Sequence, residues 1–279
     1  MNAVRIFSVF MILLGFALTT AVLLGLLFQT PQGNIGVIKI TGTITNTNNI
    51  LSSGTNAQSV VDNIKEIKEN PLIKSFIIDI NSPGGSSVAS AEVVRAIRES
   101  GKPCVALIRD VGASGAYWVA SACDYIVAHP LSLVGSIGVS MDYLEFSGLF
   151  KKYNISYVNL SYPEHKDMFS QYRPLTDTEK SWAKEWLRTA YDYLVTDIAS
   201  NRNMTKQELL PIANGSVFLG NQALSYGLID KLGGWPEALN KSAELGNVTY
   251  PLTREFNKKV SLIDIINGLA GKNGINYIR

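Results

Sequence analysis

Between residues 35 and 128, short apolar runs rich in β-branched residues alternate with stretches whose apolar residues recur at helical spacing. Residues 35–40 (IGVIKI), 75–80 (SFIIDI), 104–108 (CVALI) and 125–128 (YIVA) read as strands. Residues 57–68 set Val60, Val61, Ile64 and Ile67 on one helical face, and residues 87–98 do the same with Val88, Ala91, Val94 and Ile97. Strand, helix, strand, helix in this order predicts an α/β fold with a largely parallel sheet.

The rest of the chain is organised around that unit. Residues 30–34 form a linker and the Asn/Thr/Gly-rich residues 41–54 an irregular stretch. A small-residue loop leads into a helix over 114–122. Residues 156–160 (SYVNL) are expected to be a further strand, and a polar stretch over 161–174 then leads to a long helix over 177–201. Thr176 or Asp177 caps that helix, with Glu179 in its first turn. Shorter helices are expected over 205–212, 220–226 and 236–245. The apolar segment 260–269 is too short for a membrane span and suits packing or a contact between copies.

Residues 6–28 contain no charge and are long enough, at about 1.5 Å per residue, to cross a hydrocarbon core about 30 Å thick. A cleavable signal peptide is the competing reading, but its apolar region is ordinarily shorter and ends at a small-x-small site. Arg5 precedes the span and the next positive charge is Lys39, which puts the N-terminus in the cytoplasm and the remainder on the extracytoplasmic side of the cell membrane. The expected division is an anchor over 1–30, one catalytic domain over 31–250 and a tail from 251. A net charge of +2 with interspersed signs gives no basic face for nucleic acid. Cys104 and Cys123 could form a bridge on an oxidising face, but the preferred reading is two buried small hydrophobes. Asn154, Asn203 and Asn247 begin glycosylation sequons, relevant only if the host glycosylates on that side.

Three segments carry chemistry. Asn81-Ser82-Pro83-Gly84-Gly85 follows a strand, and its paired glycines can bring backbone N–H groups up to a ligand. Ser114, in Gly112-Ala113-Ser114-Gly115-Ala116, stands where a strand gives way to a helix; it is either a nucleophile or an ordinary N-cap. Lys166 lies in the polar stretch before the long helix, and a lysine acts as a base only when desolvation keeps it neutral.

The runs DINSPGGSSVASAEVVRAI, GASGAYWVASACDYIVAHPLSLVGSIGVSMDYLEFSGLFKKYNI and EHKDMFSQYRPLTDTEKSW resemble the short form of signal peptide peptidase A, over roughly residues 35–245. The resemblance implies the Clp protease/crotonase-like fold, with repeated β-β-α units after one N-terminal transmembrane helix. It implies a serine endopeptidase in which Ser114 is nucleophile, Lys166 general base, and the N–H groups of Gly85 (favoured over Gly84) and Gly115 the oxyanion hole. Implied partners are released signal peptides and other unfolded polypeptides, and a homo-oligomeric ring. One chain supplies both dyad members in this reading, and no metal, nucleotide or other cofactor is expected. Pro163 and Ala116 stand where the family commonly has glycine. Ser136 and Asp79 remain outside the catalytic set: Ser136 either orients the lysine through its hydroxyl or is a turn serine, and Asp79, which could stabilise a subunit contact or turn, is read as a polar strand-end residue.

Three rivals share these features. A Ser-His-Asp protease would use His129 or His165, a crotonase-like acyl-CoA enzyme would need the glycine turn without a nucleophile, and a silent membrane scaffold would need neither.

Overall fold

The computed structural model describes residues 11, 13–16, 19–20, 33–47 and 54–256. Most of the apolar run 6–28 and all of 260–269 lie outside the described residues. Among the described residues no helix is long and apolar enough to cross a membrane.

Strands β1 (Ile35–Thr41), β4 (Ser75–Ser82), β5 (Cys104–Ala113) and β6 (Tyr125–Ala128) pair in parallel at the centre of the sheet. Two further short strands, β2 (Ile44–Thr45) and β3 (Thr55–Asn56), pair with each other. Side chains alternate across the main sheet as the pleat dictates. Ile38, Ile40, Phe76, Ile78, Ile80, Cys104, Ala106 and Ile108 face one core. Ile35, Ile77, Val105, Leu107 and Val127 face a second.

Helices α1 (Ala57–Glu69), α2 (Ser87–Ser100) and α3 (Gly115–Ser121) cover the first face. Both faces being buried explains why these strands are near-continuous apolar runs rather than alternating ones. Beyond β6, β7 (Leu133–Gly135) extends the sheet beside the last residues of β5.

The second half is mainly helical: α4 (Ser147–Lys152), α5 (Asp177–Asn201), α6 (Lys206–Leu209), α7 (Gly220–Ser225) and α8 (Trp235–Leu245). Helix α8 closes the second face through Ala238 and Ala243. Three short strands interleave, and none was anticipated. β8 (Val217–Leu219) runs antiparallel to β7, β9 (Lys231–Leu232) joins β6, and β10 (Thr253–Glu255) joins the far edge of β1. Phe256 is buried in the first core, so the start of the expected tail belongs to the folded sheet.

Residues 156–160 are not a strand. They run through open space with Val158 78% and Leu160 94% exposed, and no neighbouring strand accepts their backbone. The β-branched pattern is present but has nothing to pair with. The two cysteines, expected as separate small hydrophobes, form a disulfide while both remaining buried. It ties the start of β5 to the residues just after α3.

The sequon asparagines close helices. Asn154, Asn203 and Asn247 each have φ near +50° and sit just past the ends of α4, α5 and α8. In each case the next residue donates back across the last turn: Ile155 N to Phe150 O, Met204 N to Ala199 O and Val248 N to Ala243 O, at 2.8–2.9 Å. This is the left-handed closure that asparagine tolerates better than most residues.

Candidate active site

Strand β5 delivers Ser114 to the carboxyl end of the sheet, where an α/β fold exposes loops and backbone donors. Ser114 has φ 53° and ψ −126°, outside the region L-residues ordinarily occupy. Its surroundings hold it there: its N–H donates to Gly135 O at 2.8 Å, and its carbonyl accepts from Trp118 N at 3.0 Å as α3 begins. The hydroxyl makes no capping hydrogen bond to α3. The capping alternative therefore fails, because a capping serine has extended backbone and takes an N–H of the first turn. What remains is a strained strand-to-helix turn that presents a free hydroxyl, the geometry of a nucleophile elbow.

The glycine turn after β4 lies directly against this serine. A Cβ on Gly84, where φ is +100°, would stand 2.9 Å from Ser114 Cβ and 2.8 Å from Gly115 N. A Cβ on Gly115 would stand 2.3 Å from Ser90 Oγ on α2 and 3.5 Å from Gly85 N. Ile44 holds the turn, donating to Gly84 O at 2.8 Å and accepting from Ser86 N at 2.9 Å. These bonds pass over Gly85. Neither the Gly85 nor the Gly115 N–H finds an acceptor among the described residues. Two unclaimed amides beside one hydroxyl are the components of an oxyanion hole.

Ser114 opens into a cavity of about 620 Å³. Its walls are Ser136 to Ser140 after β7, Leu187, Arg188 and Tyr191 on α5, and the turn Ala213 to Gly215. Ser136 shares the cavity with Ser114 and also has positive φ, 50°, with its N–H donating to Ser216 O at 2.7 Å. This closeness arises from β7 pairing with the last residues of β5.

Lys166 is elsewhere in the single chain. It is exposed on a 3₁₀ turn, Glu164–Asp167, and does not line the cavity. The preceding residue, His165, packs its ring edge-on against Trp182 at 4.6 Å between centroids. Trp182 precedes Tyr191 on α5 by a stretch that spans about 13 Å at 1.5 Å per residue. The turn is nevertheless firmly held. Arg173 joins Asp167 of this turn to Glu179 of α5 by four hydrogen bonds of 2.7–2.9 Å. Glu179 also accepts from Thr176 N and sits fully buried; Arg173 first, and then the Thr176 contacts, hold its carboxyl well below the usual carboxylate range.

The histidines are committed elsewhere. His129 is exposed in the turn after β6, where Nδ1 accepts from Leu131 N at 3.2 Å. His165 Nδ1 lies 3.6 Å from Glu179. Neither lines the Ser114 cavity. Asp79 is a structural group: it is buried and takes both ends of the Arg109 guanidinium, at 2.6 and 2.9 Å.

Comparison with known proteins places the chain among peptidases. The model of peptidase family S49 matches residues 96–249. A Methanocaldococcus jannaschii protein provisionally named as a protease is 34% identical over 202 residues, 72% of this chain and 65% of its own length. An Enterococcus faecium protein provisionally named signal peptide peptidase SppA is 31% identical over 204 residues, 72% of this chain and 59% of its own. The chloroplastic serine protease SPPA of Arabidopsis thaliana is 32% identical over 240 residues, 84% of this chain but 35% of its own. The chain thus spans between about a third and two thirds of the length of these relatives.

Proposed function

Since this chain belongs to peptidase family S49, we propose that it is a membrane-anchored serine endopeptidase that hydrolyses released signal peptides and other unfolded apolar segments through a Ser114–Lys166 dyad. The observation that carries this reading is the strained Ser114, whose uncommitted hydroxyl faces a cavity beside the free amides of Gly85 and Gly115. The signal-peptide substrate is suggested by the name of the E. faecium relative.

In the proposed reaction Ser114 Oγ attacks the scissile carbonyl carbon while neutral Lys166 Nζ takes the hydroxyl proton. The Gly85 and Gly115 N–H groups donate to the oxygen as it becomes negative. Lys166 then gives the proton to the departing amine, leaving an ester on Ser114. Water, deprotonated by the same lysine, hydrolyses that ester and restores the serine.

Lys166 is exposed and outside its own chain's Ser114 cavity, so in this proposal it serves the Ser114 of an adjacent copy. The segment that carries it supports assembly: Leu144, Tyr153, Val158, Leu160 and Tyr162 are all more than 60% exposed. Packing that surface against a neighbour would bury the apolar side chains and strip water from the lysine together. A closed ring with inward-facing sites, the Clp protease/crotonase grouping of the fold, and anchoring through residues 6–28 complete the proposal. The Cys104–Cys123 disulfide supports an extracytoplasmic catalytic domain, because such bonds persist in oxidising compartments.

Labelling the detergent-solubilised full chain with a fluorophosphonate tests the reading. Wild type is expected to label, Ser114→Ala to lose the label, and Lys166→Ala to lose turnover while His129→Ala and His165→Ala retain it. Turnover that survives Lys166→Ala but not His129→Ala would sink the dyad.

A further inference from the structure

Among the described residues, Arg188 is the one cationic side chain in the wall of the Ser114 cavity. Helix α5 places it there by spacing: Arg188 and Leu187 lie three and four residues before Tyr191, so the three share one stripe. Tyr191 pins that stripe to the opposite wall, its hydroxyl donating to Ala213 O at 2.6 Å. The position of Arg188 over the cavity is thus set by a fixed helix face rather than by a loop.

Its lack of a partner is unusual in this molecule. Among the described residues, Arg95, Arg98, Arg109, Arg173, Arg202 and Arg254 each have a carboxylate within 4.0 Å. Arg188 has none, and the cavity offers it none. Ile137, Val139, Leu187 and Ala213 are apolar. Asn214 is spent locally, accepting from Ser216 N at 3.0 Å and donating to Pro211 O at 3.4 Å. An exposed guanidinium with no carboxylate partner, in the same cavity wall as Ser114, is complementary to an anion that arrives with the substrate. On a peptide that anion is a carboxylate, which the planar fork of arginine can bind with two hydrogen bonds.

We propose that Arg188 is a specificity residue that binds a carboxylate of the peptide being cleaved, supplied by its free C-terminus or by an Asp or Glu side chain. The inference rests on Ser114 being the nucleophile. With the scissile carbonyl at Ser114 and the carboxylate at Arg188 in one cavity, the cut falls a short, fixed way from the anion. A signal peptide released by an endopeptidase ends in such a carboxylate.

Two matched pairs of apolar peptides test this with the full chain in detergent. One pair differs only in a C-terminal acid or amide, the other only in an internal Glu or Gln. The wild type is expected to favour the charged member of at least one pair by about tenfold in kcat/KM, the scale of a hydrogen bond to a charged group. Arg188→Gln should bring that ratio close to one, and Arg188→Lys should leave it in between. The pair that responds identifies the source of the carboxylate. Equal ratios in wild type and Arg188→Gln would overturn the inference. Turnover that persists in Ser114→Ala, or no turnover of any peptide by the wild type, would instead overturn the peptidase reading beneath it.

Discussion

Arg173 and Glu179 meet face to face, Nη1 to Oε2 at 2.9 Å and Nη2 to Oε1 at 2.7 Å, with Glu179 completely buried at the start of α5. Through Asp167 the same guanidinium reaches the turn that carries Lys166. Arg173 is therefore the link between the long helix and the lysine. Replacing Arg173 with Met leaves Glu179 buried without its partner and should cost on the order of 3 kcal/mol, since removing one member of a buried pair strands the other. Thermal melts of Arg173→Met against wild type measure it. A loss of turnover larger than the loss of folded protein would show that the link also positions Lys166.

The same pair sets an acid sensitivity. Glu179 is held below its ordinary value by the Arg173 hydrogen bonds, so in the unfolded chain it takes up a proton at higher pH than in the folded one. Its contribution is fully present above the ordinary glutamate range and is lost as pH falls through that range toward the depressed folded value. Melting temperature should accordingly fall on acidification below about pH 4–5, and Glu179→Gln should flatten that part of the profile while lowering stability at neutral pH. An unchanged acid limb in Glu179→Gln would mean that other carboxylates carry it.

The glycine turn beside Ser114 tolerates no side chain. An alanine at Gly85 would put its Cβ 2.1 Å from Ile44 O, and one at Gly115 would put it 2.3 Å from the buried Ser90 Oγ. Either substitution should move an amide away from the carbonyl oxygen. The expected loss in kcat is about 10²-fold or more, the cost of removing one oxyanion donor. Gly101→Ala, at a helix end with open space around its Cβ, is the control: it strains a left-handed residue without touching the site. Comparable kcat losses in all three would point to general destabilisation instead.

The bridge between Cys104 and Cys123 encloses β5, Ser114 and α3 in one covalent loop. In the chain-entropy model a loop of this length contributes about 3 kcal/mol. Cys104→Ala/Cys123→Ala should lose roughly that much in denaturant unfolding, and wild type unfolded under reducing conditions should approach the variant. Equal stability of the two proteins under oxidising conditions would show that the bridge does not form.

Legibility in the sequence followed the locality of the cause. The long strands and α5 could be read because burial on both faces, or a capping box at Thr176 and Glu179, leaves a continuous local pattern. Strands β7 to β10 could not, since each is two or three residues long and exists only because a distant strand offers it an edge. Residues 156–160 failed in the opposite sense, having strand-like composition but no edge to join. At the site, small residues around Ser114 and the paired glycines were visible, whereas Ser136 and Arg188 enter the cavity through β7 pairing and the face of α5. Cys104 and Cys123 offered no spacing motif, and only the return of α3 along β5 brings them together.

Which copy supplies the lysine can be decided by mixing two inactive proteins. Ser114→Ala retains Lys166, and Lys166→Ala retains Ser114. If both dyad members came from one chain, every site in a co-expressed mixture would lack one of them, and activity would stay at background. If Lys166 serves the neighbouring copy, a site is complete wherever a Lys166→Ala copy presents its serine to a Ser114→Ala copy presenting its lysine. Random assembly of equal amounts in a closed ring makes about one site in four complete, so co-expression should restore about a quarter of wild-type activity per chain. Separately purified variants mixed without subunit exchange should stay inactive, which separates true shared sites from contamination. Background activity after co-expression, with both variants confirmed in the same oligomers, would return the lysine to its own chain and require the turn 164–167 to move toward Ser114.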